Sequence, residues 1–405
     1  MLSVAEAQQR ILERISPLDA LELSITDAHG SVLAETVTAP EDLPAFPSAA
    51  IDGFAIRSAD TSDAANSPVS LTIIGEAATG RPFAARVTHG EAVRVAAGAS
   101  LPEGTDAVVH REDVAVVGSS MAIGKAIPSG VNARPAGEDV AKGDPVMQDG
   151  QRVRGMDVGV LAALGRSRVL VRPRPRVVTF AAGDQLAEPG QPLGEGAVRE
   201  SNSFAVGGMT REAGAEPTRG GIVPGDADAL HERFQSYLPQ ADVFITTGAV
   251  GEDESAGMRR FAERGGDIDL WSISARPDMT VAFGTISGRP VFGLPENPVA
   301  ATIAFELFVR PALLKMAGRK TLRRPEVVAT MEDPYEHRPG RESYLRVRAW
   351  RDDSGWRSRL AGRQGESVVS SIAGANGFAV LAPDAQAVHP GDQVRLILLE
   401  PLEGW

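Results

Sequence analysis

The rhythm of apolar positions changes along the chain. Val4, Ala7, Ile11 and Ile15 share one face of a helix running from Val4 to Ile15. Leu21 to Val37 reads as short strands broken at Asp27-Ala28-His29-Gly30, and Pro40 to Pro47 as an extended link. Val69 to about Val117 reads all-β, with strands at Leu71 to Gly75 and Gly90 to Ala99 and, over Leu101 to Val109, a turn feeding a third. Met156 to Leu164 predicts a short helix ended by Gly165. Past the stiff Arg172-Pro173-Arg174-Pro175-Arg176, strands and helices alternate. Val177 to Phe180 and Asp242 to Thr247 read as buried strands. Asn202 to Gly214, Ala227 to Tyr237 and Ala256 to Gly265 read as helices, with strand pieces in Ser272 to Gly284 around Pro277. Such a series predicts a mostly parallel, three-layer sheet. A basic, proline-bearing junction, Gly318 to Pro325, ends it, and the last 80 or so residues return to strands.

One stretch joins a strand to a helix through a distinctive turn. Val291 and Phe292 suit a buried strand; Gly293, Leu294 and Pro295 lead out of it. Asn297 is placed to cap the following helix and Pro298 to occupy its first position, where no N–H is needed. The helix is expected to stop before Pro311. A helix start just beyond a strand end suits an anion, and in open α/β sheets ligands gather at the carboxyl ends of strands.

Composition narrows the possibilities. A chain of 405 residues needs two to four domains. The net charge of -12 argues against a general binder of nucleic acid or anionic membranes, while leaving room for a local basic pocket. Without cysteine there is no disulfide, thiolate metal site or Cys nucleophile. The N-terminus has no apolar signal core and no run of about 18 apolar residues occurs, so a soluble cytoplasmic protein is expected.

Seven stretches in order resemble one family, the molybdopterin molybdenumtransferases, or MoeA-type molybdenum insertases, related to the C-terminal domain of gephyrin. They are Ser48 to Ala55, Gly90 to Val109, Asn132 to Gly143, Thr179 to Ser203, Phe244 to Val250, Pro290 to Ala301 and Gln364 to Gly377. The resemblance implies a multidomain α/β plus β homodimer. Residues 1–47 and 143–173 would form a discontinuous dimerisation domain and 48–142 a β-rich insert. Residues 174–320 would form a three-layer, molybdopterin-binding-like α/β domain, and 321–405 a C-terminal β-barrel. It further implies that molybdate is inserted into adenylylated molybdopterin with release of AMP, aided by a divalent cation such as Mg²⁺. The expected partners are a second copy, the anionic pterin and other proteins of molybdenum cofactor biosynthesis, with neither nucleic acid nor membrane. The cleft would be completed by the partner subunit's insert.

By resemblance, Asp52 and Asp139 take catalytic positions with Gln185. Thr247, Gly248, Arg276, Pro295, Asn297 and Pro298 would bind the pterin nucleotide. Asp184, Asp226, Glu252, Asp253 and Glu254 would hold the cation. The family's Gly-Asp-Glu-Leu is here Gly183-Asp184-Gln185-Leu186, so a charge is absent at 185. Its Gly-Leu-Pro-Gly-Asn-Pro carries Glu296, a carboxylate expected to repel a phosphate at that helix start. The family's Lys-Pro-Gly-Lys-Pro is Arg276-Pro277-Asp278-Met279-Thr280, and its acidic loop becomes Gly248 to Ala256. Besides an active insertase, two readings stay open: an insertase-like paralogue that binds pterin or a partner protein without catalysis, and a scaffold with no ligand.

Overall fold

A computed structural model describes residues 1–250, 258, 260 and 266–400. The helix expected over Ala256 to Gly265 falls largely outside them. The central unit is a six-stranded sheet in the order Glu216–Val223, Arg176–Ala182, Val243–Thr247, Arg289–Leu294, Met279–Ile286, Gly266–Ile273. The first four strands are mutually parallel, and Met279–Ile286 runs antiparallel to both of its neighbours, Arg289–Leu294 and Gly266–Ile273. The inner parallel strands Arg176–Ala182 and Val243–Thr247 are buried on both faces because both are covered. On one face lie Val206 of the Asn202–Glu212 helix, the long helix from Pro298, and Val4, Ala7 and Ile11 of the Val4–Glu13 helix. On the other, Leu230 and Phe234 of the Ala227–Tyr237 helix meet Phe180 and Phe244. The Phe234 and Phe244 rings are 4.6 Å apart.

The helix from Pro298 corrects one expectation. It does not stop before Pro311. Residues Pro298–Ala304 are α-helical, Phe305–Val309 form a wider π turn, and Arg310–Met316 continue as α-helix. Proline removes the N–H that would bond the carbonyl four residues back, that of Leu307. Here the Gln8 side-chain amide donates to the Leu307 oxygen at 2.8 Å. A partner 299 positions away in sequence thus satisfies the group that proline orphans, and the helix runs on.

Three smaller units flank this one. Leu21–Ser24, Arg168–Arg172 and Val32–Leu33 form a small sheet, packed with the Gly155–Ala163 helix around Leu33, Leu161 and Val169. Between these segments in sequence lies a second six-stranded sheet, in the order Ala107–His110, Gly53–Ile56, Glu91–Val95, Val69–Ala77, Ser120–Ile123, Val114–Val117. At the C-terminal end, Glu342–Asp352, Gly355–Leu360, Glu326–Met331, Gln393–Leu398 and Gly377–Leu381 close into a five-stranded barrel, the last strand pairing with the first. Ala275–Arg276 pairs in parallel with Glu342 and Ser343 at the start of the Glu342–Asp352 strand. Among the described residues no helix is long and apolar enough to cross a membrane.

Candidate active site

The carboxyl ends of the parallel strands meet at two close approaches. Gly248 follows the Val243–Thr247 strand at φ +86°, and a Cβ there would come within 2.5 Å of the Ala182 oxygen. At Gly293 a Cβ would meet Val250 Cγ1 at 2.7 Å and Ala282 Cβ at 2.9 Å. Only glycine lets these strand ends pack so tightly. Beyond Leu294 the turn places Asn297 as the helix cap, its side-chain oxygen accepting from Val299 N and Ala300 N at 2.9 and 3.3 Å. Pro298 is the first helical residue, as the sequence predicts.

A cavity of about 630 Å³ opens above these ends. Thr247, Pro295, Asn297 and Pro298 line it, as do Leu186, Val198, Thr280 and, from the C-terminal segment, Ser367. Its volume lies within the usual range for small-molecule sites. The opposing wall runs from Gln185 to Asn202. Leu186–Ala187 pairs in parallel with Val198–Arg199, and the Asn202 amide donates to the Glu296 carbonyl at 2.6 Å. Two carboxylates face this space, and they are treated differently. Glu200 is 2% exposed; it accepts from Ser203 N at 2.7 Å, Ser203 Oγ at 2.6 Å and Arg219 Nη2 at 3.1 Å. Partial burial pulls the Arg219 guanidinium down, but its hydrogen bonds to Glu188 and Glu200 prevail and its pKa lies above the ordinary value. Glu296 is exposed, and it accepts the Gln185 amide on Oε1 at 2.7 Å. No described cation pairs with it.

The remaining expected residues fall in different places. Gly248 lies behind Thr247, in the turn itself. Asp184 is exposed on the loop after the Arg176–Ala182 strand. Asp226 caps the Ala227–Tyr237 helix, accepting from Asp228 N and Ala229 N at 2.9 Å each. Arg276 pairs through its backbone with Ser343 of the barrel, and its buried Nε has no hydrogen-bond partner among the described residues. Beside it, burial first and then the Arg276 charge push the buried His337 below the ordinary histidine pKa. Asp52 sits on the insert, exposed, accepting from Ala97 N at 2.8 Å. Asp139 is exposed on the loop before residue 143. Within one chain neither lines the cavity. Glu252, Asp253 and Glu254 lie outside the described residues.

Among the described residues no three His, Asp or Glu side chains come together as a cation site requires. Asp226 serves two helix N–H groups through one carboxylate oxygen, Oδ1. Sequence reasoning passes over Glu200, Arg199, Asn202, Thr280 and Ser367. The spacing Glu200-x-x-Ser203, a carboxylate three residues before a helical N–H, is a local cue to a cap. Nothing local points to Ser367, which reaches the cavity only through the fold.

This architecture defines a class: a multidomain chain with an α/β molybdopterin-binding-type domain and a C-terminal five-stranded barrel. Three family models match in order. "MoeA N-terminal region (domain I and II)" covers residues 2–165, "Probable molybdopterin binding domain" 179–315, and "MoeA C-terminal region (domain IV)" 328–399. Molybdopterin molybdenumtransferase 1 of Mycobacterium tuberculosis is 33% identical over 422 residues, covering 98% of this chain and 99% of its own. Molybdopterin molybdenumtransferase of Haemophilus influenzae is 30% identical over 402 residues, covering 98% of each. A crystal structure of the molybdopterin biosynthesis MoeA protein from Pyrococcus horikoshii superposes with TM-score 0.79 at 28% identity, covering 98% of this chain and 100% of that one. The chain belongs to the MoeA family of molybdopterin molybdenumtransferases. It is an enzyme of the transferase class.

Proposed function

We propose that this chain inserts molybdate into adenylylated molybdopterin and releases AMP, completing molybdenum cofactor in its biosynthesis. The supporting observation is the cavity at the strand ends, lined by Thr247, Pro295, Asn297 and Pro298 together. Relatives along nearly the whole chain bear the molybdenumtransferase name. Splitting a pyrophosphate requires donors and cations placed at the oxygens where charge builds. Arg199, Thr247, Thr280, Asn202 and Asn297 are polar residues of the lining, the Arg199 guanidinium donating through Nη1 to the Gln191 carbonyl at 2.7 Å.

The reading extends to a homodimer divided at 1–47 with 143–173, 48–142, 174–320 and 321–405. In its support, the Gly155–Ala163 helix leaves Met156 and Val160 exposed at 75% and 40%, an apolar face suited to a second copy. A second copy would also be the means of bringing Asp52 and Asp139 to the cleft. One set of observations favours a pterin-binding paralogue without turnover: Gln185 carries no charge and Asp226 is engaged as a helix cap.

Incubation with adenylylated molybdopterin and molybdate, with and without Mg²⁺, followed by assay of AMP, separates these readings. AMP release that is lost in Asp52→Ala supports the insertase. Tight nucleotide binding without release supports the paralogue. Neither release nor binding sinks both and leaves a scaffold.

A further inference from the structure

Two carboxylates among the described residues line the cavity, and they differ in how many described donors each receives. Glu200 receives three donors. Glu296, which is exposed, receives one among the described residues, on Oε1. An ionised carboxylate only accepts hydrogen bonds, so the Gln185 amide must turn its N–H toward Glu296. Gly183 makes room for this posture, since a Cβ there would approach the Gln185 amide to 2.7 Å at Oε1 and 3.0 Å at Nε2. Gln185 is therefore a positioning residue that fixes the Glu296 carboxylate at the cavity rim.

We propose that Glu296 determines which ring the cleft accepts, by taking the paired N–H donors of a 2-amino-4-oxopyrimidine edge, the edge that a pterin presents. The role rests on the pterin reading above. A phosphate placed against Glu296 would be repelled, so the anionic end of a ligand belongs toward Arg199 on the other wall. What suits Glu296 is a donor-rich edge, and two parallel N–H groups meet a carboxylate in the bidentate manner of a guanidinium. Leu186, Val198, Pro295 and Pro298 supply apolar surface for a flat ring. The Gln185 and Glu296 side chains end within one hydrogen bond of each other. A carboxylate carried by either residue thus occupies nearly the same place. The charge absent at 185 and the charge gained at 296 are one feature moved across the turn.

The test is calorimetric titration with 6-hydroxymethylpterin and with 6-hydroxymethyllumazine, which has a carbonyl in place of the 2-amino group. EDTA is present so that direct contact is read. The wild-type chain is expected to prefer the pterin by roughly tenfold or more, the usual scale for hydrogen bonds to a charged group. Glu296→Gln reduces that preference to about twofold or less, by loss of the charge-assisted pair. Gln185→Glu combined with Glu296→Gln restores it, because the carboxylate returns to the same spot from the other side. No binding of pterin by the wild type would overturn the pterin reading, and this role with it. Pterin binding without preference over lumazine, or a preference unchanged in Glu296→Gln, would overturn the role of Glu296 alone. A preference seen only when Mg²⁺ replaces EDTA would overturn direct contact. Circular dichroism of each variant checks that a lost preference is not a lost fold.

Discussion

The two ends of the parallel sheet follow opposite rules. At the amino-terminal end, Asp242 is 8% exposed and accepts from Arg176 N at 2.9 Å, Arg176 Nε at 3.1 Å and Arg176 Nη2 at 2.9 Å. Arg289, on the strand two places across the sheet, adds its charge at 3.8 Å. The charge is surrounded by donors and the end is closed. At the carboxyl end the strands stop at glycine turns, a cavity opens, and the Glu296 carboxylate stands without a described cation. Binding sites form at the second kind of end because groups left unsatisfied by the fold are available to a ligand. The comparison also says where mutations should cost stability and where they should cost recognition.

The largest effect on stability is expected at the closed end. Asp242→Ala removes the acceptor for three Arg176 donors, and should cost on the order of 2 kcal/mol, the scale of hydrogen bonds to charged groups. Burial alone would raise the Asp242 pKa, but the Arg176 hydrogen bonds outweigh it, with both arginine charges adding, and the pKa lies below the ordinary value. For a lowered carboxylate pKa, the stabilisation is complete above the unfolded value of about 3.9. It is lost as pH falls below that toward the folded value. Urea melts from pH 6 to pH 3 should therefore show a steeper acid loss in the wild type than in Asp242→Ala. Parallel acid limbs would remove Asp242 as the anchor of the closed end.

A smaller loss is expected at the open end, from Asn297→Ala. The cap satisfies Val299 N and Ala300 N, and its removal should cost about 1 kcal/mol in thermal or urea unfolding. Because Asn297 also lines the cavity, nucleotide affinity should fall with it. A serine there, which caps equally well, should recover the stability. If serine recovers the stability but not the affinity, the amide acts on the ligand directly as well as through the helix.

Where information is local, the sequence shows it. Asn297-Pro298 reads as cap and first turn, and both stand where expected. The strand rhythm from Val177 onward yields the parallel sheet; the late residues read as strands, and their closing into a barrel is what the family resemblance implies. What is not legible depends on distant partners. Pro311 reads as a helix stop because the rescuing amide, Gln8, is at the other end of the chain. Asp226 is expected by resemblance as a cation ligand, and a short polar residue before an apolar run is also a cap, which the structure shows it to be through Oδ1. Gln185 and Glu296 read as two separate departures from a family pattern. Only the fold, by placing their tips 2.7 Å apart, makes them one.

The smallest stability effect, and the one that sharpens the comparison most, is expected for Glu296→Gln. The residue is exposed, no described cation depends on it, and an amide can still face the Gln185 side chain. Exposed substitutions without a buried partner shift stability little. The unfolding midpoint should stay at the wild-type value while the pterin preference is lost. Asp242→Ala should do the reverse, lowering the midpoint and leaving the preference intact, because its ion network lies at the other end of the sheet. If Glu296→Gln instead lowers the midpoint as much as Asp242→Ala, the carboxylate is part of the scaffold, and the open end is held together by the same rule as the closed one.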